Sequence, residues 1–187
     1  LRPKDKTMLL TPGVPLQGHG DSFARAAFLG LLVASLSILG GAFAFQFIGG
    51  LHPCTLCLWQ RYPYAAVIGL AGIGAGLARA GVKRPQLAIL MGLCAVAFLL
   101  DAGIAGFHVG VEQKWWEGLS TCSGTTGGAA STEELLNKLL AAPVIRCDEI
   151  AWSMFGISMA GYNFLLALAL GLLSLRLTAI FLWKPTP

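Results

Sequence analysis

The residues with the clearest chemistry are Cys54-Thr55-Leu56-Cys57. Two thiols at this spacing can cycle between dithiol and disulfide or take a metal ion. Pro53 precedes the pair and an apolar helical run follows it. Cys57 is therefore expected near a helix N-terminus, where unpaired N–H groups and the helix dipole stabilise a thiolate. Arg61 stands four residues after Cys57, on the same helix face. It reads either as an arginine snorkelling at a membrane boundary or as a fixed cation beside the Cys57 sulfur, able also to bond a ligand carbonyl. Gln60 offers a similar donor, or is a plain interfacial polar residue.

Two further cysteines lie far along the chain. Cys122 sits in a stretch of small residues from Ser120 to Ala130, and Cys147 follows Pro143. A Cys122–Cys147 bridge would close a loop of about 25 residues, worth roughly 3–4 kcal/mol as a static staple. In the small-residue stretch it would also be open to attack by another protein's thiolate. Cys94, inside an apolar run, reads as a small buried hydrophobe. Asp101 and His108 are seven apart, two turns along one helix face. His108 could bond a ligand or carry a proton, or be structural. His52 reads as a loop residue.

The elements that position these groups follow from where charge is missing. The chain has 187 residues, 56% hydrophobic and only 12% charged. That is about half the charge of a typical soluble domain, and it excludes both an ordinary soluble globule and a disordered chain. Ala26–Ile48, Tyr62–Ala78, Gln86–Leu100 and Ala151–Leu175 carry no charge. An apolar helix of about 20 residues crosses a bilayer, and a helix satisfies its own backbone there. The expected fold is an all-α membrane protein: a four-transmembrane-helix bundle with spans at about 25–48, 59–79, 85–108 and 152–176. Residues 1–22, with three prolines, read as a flexible leader, and 23–187 as one domain. Ser131-Thr132-Glu133-Glu134 reads as a capping box opening a short amphipathic surface helix in the second long loop.

Basic residues set the orientation. Arg2, Lys4, Lys6 and Arg25, then Arg79, Lys83 and Arg84, then Arg176 and Lys184 mark one side. The loops 49–58 and 109–151 lie on the other. The positive-inside rule places both termini in the cytoplasm. The two loops, with four of the five cysteines, then face outward, which in a bacterium is the periplasm, where disulfides persist. An N-terminal signal peptide cleaved near Ala42-Phe43-Ala44 is the competing reading, but the apolar run is long for one. No internal repeat is visible.

Several motifs together carry a family resemblance. His52-Pro-Cys-Thr-Leu-Cys-Leu-Trp-Gln-Arg61 resembles the first periplasmic redox motif of the disulfide-bond formation protein B (DsbB) family. Residues Phe107 to Gly118 are similar to the start of that family's second periplasmic loop. Trp152 to Asn163 is similar to the entry of its fourth span. The resemblance runs from about residue 24 to 183. It implies a thiol:quinone oxidoreductase of the inner membrane with Cys54, Cys57, Cys122 and Cys147 as redox cysteines. It further implies that a DsbA-like periplasmic thioredoxin-fold partner attacks the Cys122–Cys147 disulfide at Cys122. Cys147 would then attack Cys54, freeing Cys57 as a thiolate against a bound quinone, ubiquinone or menaquinone. Arg61, His108 and Gln60 would be the quinone-binding residues. Membrane lipid is the surrounding medium, and neither a metal nor a nucleic-acid partner is expected. Cys94 and the leader have no counterpart in the resemblance.

Three rivals make different demands. A vitamin K epoxide reductase-like enzyme shares the bundle and a membrane-boundary CxxC, but its CxxC sits late in the bundle. A metal-binding membrane protein would use Cys54, Cys57, Cys122 and Cys147 as thiolates. A structural tetraspan protein would hold two static staples and be indifferent to loss of Arg61.

Overall fold

A computed structural model of the protein describes residues 21–119 and 146–183. Residues 1–20 of the expected leader, Cys122 and the expected surface helix of the second loop lie outside the described residues. The first helix, α1 (Ser22–Phe47), starts where Asp21 caps it by accepting from the Ala24 N–H at 3.0 Å. Gly49 and Gly50 turn the chain into a short helix, α2 (Thr55–Trp59), and Gln60 joins it to α3 (Arg61–Arg79). After a turn comes α4 (Arg84–Glu112), with Pro85 in its first turn, where its missing N–H costs nothing. The last helix, α5, spans Met159–Trp183.

The final helix departs from expectation. A start near 152 was expected, but residues 153–158 form a two-stranded antiparallel hairpin. In it β1 (Ser153–Met154) pairs with β2 (Ile157–Ser158). Phe155 and Gly156 both have positive φ, the geometry of a tight primed turn between antiparallel strands. The absence of charge in this stretch signalled burial in lipid but carried no information about the turn. The third long helix likewise continues past 108 to Glu112.

α1 packs along α3, α3 along α4, and α4 along α5. At one end Arg84 pairs with Asp21 and the Asp21 N–H donates to the Ala78 carbonyl at 3.0 Å, tying the starts of α1 and α4 to the end of α3. The Arg84 hydrogen bond holds the Asp21 carboxyl below the usual carboxylate range. Close approach of α1 and α3 depends on Gly74. A Cβ there would meet the Phe28 ring at 2.5 Å, and Phe28 is fully buried, 6.3 Å from the Phe181 ring. The outward faces are apolar, with Val33, Ile89, Leu100 and Leu182 all exposed. Among the described residues, α1, α4 and α5 are long and apolar enough to cross a membrane. The chain is therefore a mostly helical, multi-pass membrane protein. α3 is shorter, at 19 residues, and four glycines with an arginine at each end lower its hydropathy.

Candidate redox site

The first loop ends by making Cys54 the N-cap of α2. Its backbone is extended, and its Sγ accepts the Cys57 N–H at 3.2 Å. This local turn folds the two thiols together, with Sγ atoms 2.7 Å apart. Cys54 is buried and Cys57 is partly open. Either sulfur can donate to the other. The hydrogen bond from Cys54 holds the Cys57 thiol below its ordinary range, while the same bond and burial push Cys54 up. Burial and the Glu112 charge oppose the thiolate at Cys57, and Arg61 favours it more weakly than Cys54 does. The neighbouring thiol thus joins the helix terminus and Arg61, the two groups expected from sequence to act on Cys57.

Cys147 is fully buried and disulfide-bonded, whereas Cys54, Cys57 and Cys94 are free. It packs with Cys54, Leu56 and Val111 in one small apolar cluster that Cys57 borders. The distant cysteine of the second loop therefore lies against the CxxC pair. Cys94 belongs to the other cluster, among Phe28, Met91 and Phe98, away from this site.

His108 enters from α4. Its Nε2 lies 3.6 Å from Cys54 Sγ and 3.9 Å from Glu112 Oε1. Its Nδ1 accepts from Gln60 Nε2 at 3.0 Å. Gln60 Oε1 in turn accepts from Asn163 Nδ2 at 2.8 Å, and Asn163 Nδ2 also donates to Asp101 Oδ2 at 3.0 Å. The Tyr64 hydroxyl donates to Asn163 Oδ1 at 2.6 Å. Glu112 is held from the hairpin by the Ser158 hydroxyl, which donates to its Oε2. Asp101 and His108, paired on one face by spacing alone, are thus joined through Asn163 and Gln60. Arg61 turns toward α1: its guanidinium donates to Gln46 Oε1 at 2.6 Å and lies 4.8 Å from the centre of the Phe43 ring. His52 remains a loop residue on the rim.

A cavity of about 370 Å³ opens beside the pair. Cys54, Cys57, Gln60, Arg61 and His108 line it, and Ile38, Leu39 and Leu166 are among its apolar walls. Volume and lining are those of a site for a small, largely apolar molecule fixed by a few polar groups. Sequence reasoning missed Asn163, Tyr64, Glu112 and Gln46. The one available signal was an amide or acid standing inside an otherwise apolar helix, which is costly there without a task.

Residues 24–177 match the family described as Disulfide bond formation protein DsbB. The chain is 32% identical over 164 residues to "Disulfide bond formation protein B 2" of Pseudomonas syringae pv. syringae (strain B728a), covering 81% of this chain and 87% of that protein. It is 30% identical over 159 residues to "Disulfide bond formation protein B" of Xylella fastidiosa (strain Temecula1 / ATCC 700964), covering 82% and 88%. The protein of that name from Aromatoleum aromaticum (strain DSM 19018 / LMG 30748 / EbN1) is 28% identical over 173 residues, covering 86% and 93%. No solved structure matches the chain.

Proposed function

This chain belongs to the disulfide bond formation protein DsbB family, and on that premise we propose that it is a membrane thiol:quinone oxidoreductase that reoxidises a DsbA-like periplasmic partner. The observation that carries the reading is the packing of disulfide-bonded Cys147 against Cys54, with Cys57 on the wall of an apolar cavity. In this reading four helices span the inner membrane, α3 included, both termini are cytoplasmic, and both cysteine pairs face the periplasm.

Cys122 is the disulfide partner of Cys147. A thiolate of the reduced partner attacks Cys122 Sγ, the Cys122–Cys147 bond breaks, and Cys147 leaves as a thiolate. Cys147 attacks Cys54 Sγ in the oxidised Cys54–Cys57 pair, forming Cys54–Cys147 and releasing Cys57. The partner's second thiol closes its own disulfide and frees Cys122, which attacks Cys147 Sγ, re-forming Cys122–Cys147 and leaving Cys54 and Cys57 as a dithiol. Exchange of this kind needs a good leaving thiolate, and the lowered Cys57 thiol is one.

A quinone fits the residues present. The cavity lies within the range of ~300–1,000 Å³ typical of small-molecule sites. Its apolar walls suit a lipid-soluble ring, and Arg61, Gln60 and His108 supply donors for ring oxygens. A bound quinone would supply an acceptor for the two electrons and two protons of the Cys54–Cys57 dithiol. Arg61 holds positive charge on the cavity wall, and His108, through Nε2–H, holds a proton beside Cys54.

A second reading rests on the Cys54, Cys57 and His108 ligand atoms, which lie within 4.8 Å of one another and could hold a zinc ion. A four-thiolate site is not available, because a disulfide-bonded Cys147 has no thiolate to offer. The deciding experiment is anaerobic quinone reduction by purified protein with a reduced DsbA-like donor, followed by ultraviolet absorbance. Turnover by wild type and none by Cys57→Ser is expected. Equal turnover by Cys57→Ser refutes the mechanism, and stoichiometric zinc in inactive, folded protein supports the metal reading.

A further inference from the structure

The buried side chains from α5 to Cys54 form hydrogen bonds that all run one way. Asn163 Nδ2 donates to Gln60 Oε1, so the Gln60 amide must turn its Nε2–H outward, to His108 Nδ1. An imidazole that accepts at Nδ1 carries its proton at Nε2. That Nε2–H faces Cys54 Sγ together with the Cys147 backbone carbonyl and the Glu112 carboxylate, and Cys54 can in turn donate to Cys57 Sγ. The far end is fixed by two groups. Asp101 Oδ2 accepts from Asn163 Nδ2, and the Tyr64 hydroxyl donates to Asn163 Oδ1. Together they leave the Asn163 amide a single orientation.

Gln60, Asp101 and His108 are buried, and Asp101 Oδ1 has no partner among the described residues. Polar groups held at this depth are costly unless they act. Bonds aligned head to tail polarise one another, so a fixed chain delivers more to its end than a single donor does.

We propose that Asn163, anchored by Asp101 and Tyr64, is a positioning residue that fixes the Nε2–H form of His108 through Gln60 and thereby stabilises the reduced Cys54–Cys57 pair. Asn163 does not touch the sulfur atoms; it sets which way the donors between them point. Stabilising the reduced form makes the disulfide a stronger oxidant. The proposal rests on the reading of Cys54 and Cys57 as a redox pair, but it needs neither the quinone nor the partner.

The test uses the full-length chain in detergent with Cys122→Ser and Cys147→Ser, so that Cys54–Cys57 is the disulfide that reports. Equilibration against reduced and oxidised glutathione gives the position of the pair. Asn163→Leu and Asp101→Leu are expected to favour the disulfide by about tenfold, or about 30 mV for a two-electron couple. Asp101→Asn keeps an amide oxygen for Asn163 to donate to and is expected to stay within about twofold of the parent. Nitrogen-15 spectra, with the His108 signals assigned by their loss in His108→Gln, report the ring form directly. The parent is expected in the Nε2–H form and Asn163→Leu in a mixture. An unshifted equilibrium in both leucine variants, or an unchanged His108 spectrum in Asn163→Leu, overturns the proposal. A parent pair that never equilibrates with glutathione overturns it together with the redox reading.

Discussion

Glu112→Gln tests the electrostatics of the pair in one atom-for-atom exchange. The carboxylate lies 3.9 Å from His108 Nε2, which lies 3.6 Å from Cys54 Sγ, which lies 2.7 Å from Cys57 Sγ. Those legs bound the distance from Glu112 to Cys57 at about 10 Å. Two like charges at ~10 Å interact by about 1.6 kcal/mol at an effective dielectric of ~20, or about one pH unit. Glutamine has the same shape and keeps an oxygen to accept from Ser158. Removing a negative neighbour favours the charged thiolate, so the midpoint of Cys57 titration moves down. The assay is the pH dependence of iodoacetamide labelling at Cys57 in reduced protein, read by mass spectrometry. A downward shift of about one unit is expected. An unchanged or raised midpoint refutes the reasoning, because it means that Glu112 carries no charge felt at the sulfur.

Arg61→Ala is expected to raise the apparent KM for quinone while leaving exchange at Cys122–Cys147 intact; an unchanged KM in steady-state assays removes Arg61 from the binding site. Asp21→Ala loses both the α1 cap and the Arg84 pair, and should destabilise the protein by about 1–2 kcal/mol in thermal unfolding in detergent. Because the Asp21 carboxyl is depressed in the folded state, its stabilisation is present above the unfolded value and lost as pH falls through the folded one. The stability difference between wild type and Asp21→Ala should therefore hold above about pH 4 and shrink progressively as pH falls below it. Gly74→Ala forces a methyl group against the Phe28 ring and should cost about 1–3 kcal/mol. Gly72→Ala, with open space around its Cβ, should be neutral or stabilising in the same melt.

What sequence could reveal depended on whether a signal was local. Runs without charge mark helices in lipid because each helix closes its own backbone hydrogen bonds, and such runs coincide with α1, α4 and α5. The CxxC turn is also local: Cys54 caps the helix that carries Cys57, and both effects arise within four residues. The hairpin at 153–158 escaped because its turn is made by Phe155 and Gly156 rather than by a usual turn pair. Arg61 shows the limit of spacing most clearly. Its offset of four from Cys57 puts its charge where it favours the thiolate, but gives no sign of Gln46 and Phe43, which hold it from α1.

The least legible part of the site is the part that sets its direction. Gln60, His108 and Asn163 come from three segments, and no periodicity within one helix predicts that their amides and ring will meet. Each is ambiguous alone, since an amide can turn either end to a neighbour and an imidazole can carry its proton on either nitrogen. The ambiguity disappears when the chain is followed from Asp101, whose Oδ2 accepts the Asn163 N–H. Asn163 then donates to Gln60, Gln60 to His108, and His108 faces Cys54 with its remaining N–H. Asp101 and Tyr64 together thus orient the Asn163 amide, and with it the bonds through Gln60 to His108. Motif spacing can locate reactive sulfur, but the polarity of its surroundings is a property of the packed bundle.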